Sequence, residues 1–256
     1  MKILVLGDIH GRLIWYDIIQ KEQPDKIIFL GDYVSTHDKI SADQQCMNLE
    51  DILNYKVDNP DKVVLLRGNH DLQHLGYYWA ECSGLDTQVL NYMCEPYMKH
   101  RFLDNTQWIH IEDNLIFSHA GISKVWWKRL NLGDPTKDNL LKINELEPSE
   151  LFAFTPDHMS DYCGDSYTQP CTWIRPTSLA MNHIEGWDQV VGHTRVRKPG
   201  NVMPDLEFYR ENWNITMKEF WCIDALPLQY MIIEDGMRTM RNVKDITDVD
   251  NIINNI

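Results

Sequence analysis

Six short polar motifs run along this chain in a fixed order: Gly7-Asp8-Ile9-His10-Gly11, Gly31-Asp32-Tyr33, Gly68-Asn69-His70-Asp71, Ser118-His119-Ala120-Gly121, Trp173-Ile174-Arg175 and Gly192-His193-Thr194. Asp8 and His10 are two apart, so in an extended segment both side chains point one way while Ile9 turns into the core. That spacing makes a pair of metal ligands. Asp32 has two carboxylate oxygens and can bridge two divalent ions about 3.5–4 Å apart, the arrangement used for in-line attack on phosphorus. Asn69 adds a neutral amide oxygen, and His119 and His193 add imidazoles. A mixed oxygen and nitrogen set suits two divalent metal ions such as Mn, with Fe or Zn as alternatives, whereas a site built for Mg would use fewer histidines. His70, directly after Asn69, is placed to work on substrate: it can protonate a leaving alkoxide while a metal-bound hydroxide attacks. Arg175 offers a planar fork to phosphate oxygens. No serine or cysteine nucleophile is needed.

The elements that must position these residues are legible around them. The first four motifs each follow an apolar run (Ile3 to Leu6, Ile27 to Leu30, Val63 to Leu66 and Leu115 to Phe117). Asp, His and Asn are therefore expected at the carboxyl edge of a sheet, where open α/β sheets bind ligands. Leu13 to Glu22 and Asp43 to Lys56 carry apolar residues at helical spacing, broken by Pro24 and Pro60. Strand and helix thus alternate over the first 70 residues, which predicts an α/β layer architecture with parallel strands. Residues 71–106 are aromatic and mostly helical, with a break at Cys82-Ser83-Gly84; Trp108 to Ile111 and Leu115 to Phe117 flank a short turn and predict a hairpin. Gln189 to Val191, Glu219 to Ile223 and Leu228 to Ile233 supply further strands. Residues 131–172 lose clean periodicity, with Tyr162 to Tyr167 the most turn-like piece, and mark either a substrate cap or a surface elaboration.

Composition narrows the function classes. A chain of 256 residues is readable as one domain. Its net charge of -14 opposes a broad basic face for nucleic acid, so long nucleic acid is the poorest partner. The six cysteines, Cys46, Cys82, Cys94, Cys163, Cys171 and Cys222, show no CxxC spacing, and Met1-Lys2 leads straight into a strand, not into a signal peptide. A reduced, cytoplasmic protein with no membrane span is expected, the apolar runs being far short of the roughly 20 residues that crossing requires.

The residue pattern from Ile3 to about Asp224 resembles the calcineurin-like metallophosphoesterases, in particular the phosphoprotein phosphatase branch with its bacterial and bacteriophage-type members and the diadenosine tetraphosphatase group. The resemblance implies a β-sandwich of two sheets flanked by helices. It implies Asp8, His10 and Asp32 at one metal, with Asp32 bridging to a second held by Asn69, His119 and His193. It also implies His70 as the acid and Arg175 as a phosphate ligand. The substrate implied is a phosphorylated one, a phosphoprotein or a nucleotide-like small molecule.

The pattern departs from the family at one block. Where the family has Gly-Asp-x-Val-Asp-Arg-Gly, this chain has Gly31-Asp32-Tyr33-Val34-Ser35-Thr36-His37, without the Asp that partners the acid or the second arginine. His37 or Lys39 stands in reach of the lost cation's role, and Asp38 or Asp71 in reach of the Asp's. Arg195 follows Thr194, so the Gly-His-x-His pattern is absent, favouring phosphatases over nucleases or cyclic phosphodiesterases. A metal-binding scaffold without turnover is the reading of a different class. Any one motif arises by chance in ordinary loops; it is the ordered set that points to metal. Arg67 and the histidines His74, His100, His110, His158 and His183 read as structural or surface groups, Cys82 and Cys94 as buried thiols, and Tyr77 to Trp79 as packing residues or pocket walls.

Overall fold

The computed structural model describes residues 1–155, 166–195, 199–201, 219–224 and 226–245. The chain starts as strand, helix, strand: β1 (Lys2–Leu6), α1 (Ile14–Glu22), β2 (Lys26–Phe29), α2 (Ala42–Asp58) and β3 (Val63–Leu65). A helical stretch follows, α3 (Asn69–His74), α4 (Thr87–Cys94) and α5 (Pro96–Asn105), and then the hairpin of β4 (Ile109–Glu112) and β5 (Leu115–Ser118). Next come α6 (Lys124–Leu130), α7 (Lys137–Leu141), α8 (Pro176–Met181), β6 (Asp188–Val191), β7 (Gly200–Asn201), β8 (Phe220–Cys222), β9 (Gln229–Glu234) and β10 (Met237–Asn242).

Among the described residues the strands form two five-stranded sheets, ordered β10-β9-β1-β2-β3 and β4-β5-β6-β8-β7. The three opening strands pair in parallel, as their alternation with helices predicts, and β5-β6-β8 form a second parallel set. Alternation along the strands sorts the core. Ile3, Val5 and Ile28 turn toward Leu115, Phe117 and Val190 of the other sheet, while Leu4, Leu6, Ile27 and Phe29 face the helices. Each such fully buried side chain contributes about 1.5–3 kcal/mol. This is the two-sheet sandwich with flanking helices that the resemblance implies.

Local signals set the helices. Ser41 caps α2 and forms a capping box with Gln44; Asp86 caps α4, and Pro96 opens α5. The sequence pattern does not reveal β10. Its Met237-Arg-Thr-Met-Arg-Asn run is half-exposed, and it is a strand because it pairs antiparallel with β9 along its whole length. Within 131–155, Leu140, Ile143 and Phe152 join the main core, Phe152 stacking on Trp108 with centroids 3.6 Å apart. Residues 156–165, with His158, Cys163 and most of the turn-like piece, lie outside the described residues.

Candidate metal and phosphate site

Five of the six motifs follow the carboxyl ends of β1, β2, β3, β5 and β6, so parallel pairing within each sheet brings their side chains to one edge of the sandwich, whereas Trp173-Ile174-Arg175 follows no strand and leads into α8. One hydrogen bond within a sheet and one between the sheets fix this edge. The Gly192 N–H donates to the His119 carbonyl at 2.8 Å within one sheet, and the His119 ring Nδ1 meets the Leu30 carbonyl of the other at 2.9 Å.

Three of the residues singled out by the motifs adopt positive φ, which is uncommon for non-glycine residues: His10 at 48°, Asp32 at 52° and His193 at 60°. Such strain persists where surrounding contacts hold it, and it clusters at functional sites. The holding contacts are visible. Asp71 accepts the N–H groups of Asp32 and Gly68 at 2.9 Å each and of Tyr33 at 2.8 Å. The Asp32 Oδ1 accepts the His70 N–H at 3.0 Å, and the Asp8 Oδ1 accepts the His193 N–H at 2.9 Å. Two glycines make these approaches possible. A Cβ on Gly68 would lie 2.1 Å from the Asp32 Oδ1, and one on Gly192 would lie 2.4 Å from the Asp8 Oδ1.

The structure brings the six ligand candidates together. Asp8, His10 and Asp32 place ligand atoms within 4.8 Å of one another, and Asp32, His119 and His193 do the same, so Asp32 belongs to both groups. The His119 Nε2 lies 3.4 Å from the Asp32 Oδ2 and 3.0 Å from the Asn69 Oδ1, and the His193 Nδ1 is 3.0 Å from that same amide oxygen. Backbone carbonyls of Val34 and Leu30 engage Nδ1 of His10 and His119. Such carbonyls orient metal-binding imidazoles and leave Nε2 for the ion. The donor set fits divalent cations: the His193 Nε2 is buried and lacks a hydrogen-bond partner among the described residues, which costs free energy unless something accepts or binds there.

The electrostatics point the same way. Burial and the neighbouring Asp224 push the Asp8 carboxyl well above the usual carboxylate range. Burial disfavours charge on His119, yet Asp32 and Asp8 outweigh it and hold its imidazole up to about 10. For Asp32, burial is outweighed by His119 and His70, and its carboxyl is held below the ordinary range. Carboxylates and imidazoles so crowded need positive charge nearby, which a divalent ion would supply.

A cleft of about 500 Å³ opens over this edge, walled by His70, Arg175, Phe154 and Trp173 among others. The Arg175 Nη1 donates to the Thr194 hydroxyl at 3.1 Å, setting the guanidinium beside the His193 loop. Burial lowers His70 to about 4. Neither acid considered as a partner for it reaches its ring. Asp38 pairs with Arg12 at 2.7 Å, and Asp71 is taken up by the three backbone N–H groups. His37 lines the cleft, as do Arg12, Cys82 and Asp224, which no motif had marked. Arg12 directly follows Gly11, and that adjacency was the available signal. Tyr77 and Trp79 stack on each other at 5.0 Å beside the core; Phe154 and Trp173 supply aromatic surface to the cleft. His74 and Arg67 are buried and bonded structurally, Arg67 to the carbonyls of Leu103 and Thr106.

Comparison with known proteins agrees with this arrangement. A family profile described as calcineurin-like phosphoesterase matches residues 1–197. The serine/threonine-protein phosphatase 4 catalytic subunit of Eremothecium gossypii is 29% identical over 109 residues, covering 37% of this chain. The match spans 32% of that relative, about a third of its length. A cold-active protein-tyrosine phosphatase of a psychrophilic Shewanella species is 17% identical with a TM-score of 0.56, covering 94% of this chain and 80% of that one. A protein serine/threonine phosphatase from Saccharomyces cerevisiae is 13% identical with a TM-score of 0.55, over 94% and 79%. Both solved structures share the fold.

Proposed function

The chain belongs to the calcineurin-like phosphoesterase family, and from that premise we propose that it is a two-metal phosphatase acting on phosphomonoesters or phosphoanhydrides. The observation that carries this reading is the place of Asp32 in both ligand groups. In it, Asp8, His10 and Asp32 would hold one divalent ion, and Asp32, Asn69, His119 and His193 would hold the other, with Mn favoured and Fe or Zn compatible. When bound, the ions activate water near neutral pH and offset charge on the phosphoryl oxygens.

The remaining work falls to this chain's own groups. Arg175 binds the phosphoryl oxygens from the cleft wall, and His70, which burial holds low but whose imidazolium form an arriving phosphoryl anion favours, delivers a proton from its ring to the departing oxygen. Phe154 and Trp173 narrow the cleft and exclude water from one side. The whole chain is read as one domain in which Phe154, from the 131–172 segment, contributes to that wall. A net charge of -14 disfavours long polyanions, leaving a phosphoprotein or a nucleotide-like small molecule as substrate. The free thiols of Cys46, Cys82, Cys94, Cys171 and Cys222 suit a reducing cytoplasm. No helix of the described residues is long and apolar enough to cross a membrane.

The deciding experiment is metal analysis beside a substrate panel under Mn²⁺: p-nitrophenyl phosphate, phosphopeptides, diadenosine tetraphosphate, a cyclic nucleotide and single-stranded DNA. Turnover is expected on the first three. Two bound ions without any turnover would establish the inactive scaffold instead, and a dominant rate on DNA or the cyclic nucleotide would move the chain to the phosphodiesterases.

A further inference from the structure

The His70 ring has an unusual neighbour for a group assigned to proton transfer. Its Nδ1 lies 3.5 Å from the Cys82 Sγ, within reach of a sulfur hydrogen bond, and among the described residues it forms no ion pair with a carboxylate. The neighbouring Asn69 turns its side-chain oxygen to His119 and His193.

Cys82 is held there by its own chain. Residues 81–84 form a short strap between the turn at Tyr78–Ala80 and α4. Gln73, on the same short helix as His70, accepts the Cys82 N–H through its Oε1 at 2.6 Å and reaches the Ser83 carbonyl with its Nε2 at 3.4 Å. At the far end of the strap the Ser35 hydroxyl donates to the Gly84 carbonyl at 2.8 Å. Gly84 takes φ of 75°, and a Cβ there would meet the Ser35 Oγ at 2.7 Å, so strap and Ser35 loop are in close contact. Ser35, spent on the strap, is thus not available to the His70 ring.

We infer that Cys82 is a positioning residue for His70: its sulfur accepts the Nδ1–H of the imidazolium, which leaves the Nε2 proton for the departing oxygen. Both nitrogens of an imidazolium are donors and a thiol sulfur is a weak acceptor, so the contact forms in the state of the ring that carries the transferable proton. The inference rests on the reading of His70 as proton donor. A neutral thiol orients the ring without adding negative charge beside it, so the help it gives is greatest where a leaving group must be protonated and least where it departs readily as an anion.

The test compares two esters in the full-length, Mn²⁺-loaded protein: p-nitrophenyl phosphate, whose leaving group needs little protonation, and an alkyl phosphate such as a phosphoserine peptide. Cys82→Ala is expected to lower kcat on the alkyl ester by about 10–10²-fold, a part of a general acid's contribution, and on the aryl ester by no more than about 3-fold. Cys82→Ser, which keeps an acceptor and a donor, is expected to restore most of the alkyl rate. An equal loss on both esters, whether from lost metal or disturbed folding, would overturn the inference, and so would unchanged rates. His70→Asn in the same assays separates the two readings: if it shows leaving-group selectivity and Cys82→Ala does not, Cys82 fails alone, whereas if His70→Asn shows none, the proton-donor reading fails first.

Discussion

The carboxylate of Asp71 accepts the backbone N–H of Asp32 at 2.9 Å, so the loop after β2 is aimed by a residue of the motif after β3. Tyr33 and Gly68 donate to the same carboxylate at 2.8 and 2.9 Å. Burial and the Asp32 charge push the Asp71 carboxyl up to about 7, and the Gly68 and Tyr33 N–H groups act in the opposite sense. Asp71→Asn would set an NH₂ group against at least one of these donors. Leaving one buried N–H unpaired costs about 1–3 kcal/mol. A lower melting temperature and weaker metal retention are expected together, read by thermal unfolding and by metal content after gel filtration.

Ligand and acid should part under substitution. Asp32→Asn removes the charge shared by both ligand groups, and loss of bound metal together with activity is expected. His70→Asn is expected to retain metal and to lose about 10²–10⁴-fold in rate. Metal content and kcat measured on one preparation of each variant decide the matter; an emptied metal site in His70→Asn would make that histidine a ligand.

Gly192→Ala tests the close approach at the second sheet's edge. The new methyl would stand 2.4 Å from the Asp8 Oδ1, the oxygen that accepts the His193 N–H, so Asp8 or the loop must shift. Metal affinity is expected to fall by at least about tenfold, equivalent to 1.4 kcal/mol. Isothermal titration with Mn²⁺ reads it, and an unchanged affinity would show that the site does not depend on this contact.

Far from the cleft, buried Glu22 joins Lys2 at 2.6 Å, Arg241 at 2.6 Å and the Tyr230 hydroxyl at 2.6 Å. Burial opposes its charge, but these partners win and hold its carboxyl below the ordinary range. A depressed folded pKa adds stability above the unfolded value of about 4.3, and that stability fades as pH falls through the folded pKa. Glu22→Gln is therefore expected to melt lower than the parent at pH 7, with the gap closing below about pH 4. Calorimetric scans of both proteins across that range check it; a gap that widens in acid would reverse the assignment.

How much of this was legible beforehand differs element by element. Asp8, His10 and Asp32 were readable because each follows a short apolar strand, and parallel strands with intervening helices place their carboxyl ends at one edge. The same holds for His119 and His193 after β5 and β6. The two-sheet sandwich was implied by resemblance to a family, since an unbroken apolar run shows that both faces of a strand are buried without saying what covers them. Strand β10 escaped notice because it owes its conformation to pairing with β9 and not to its own half-exposed residues.

The surroundings of His70 were decided only in three dimensions. In sequence, Asp38 and Asp71 offer themselves as acidic partners, yet Arg12 captures one and three backbone N–H groups capture the other. Cys82, twelve residues along the chain, reaches the ring because Gln73 and Ser35 fasten its strap across the cleft. Motif and strand period are local properties and survive in one dimension; which polar group meets which is settled by the competition among donors and acceptors that folding brings together.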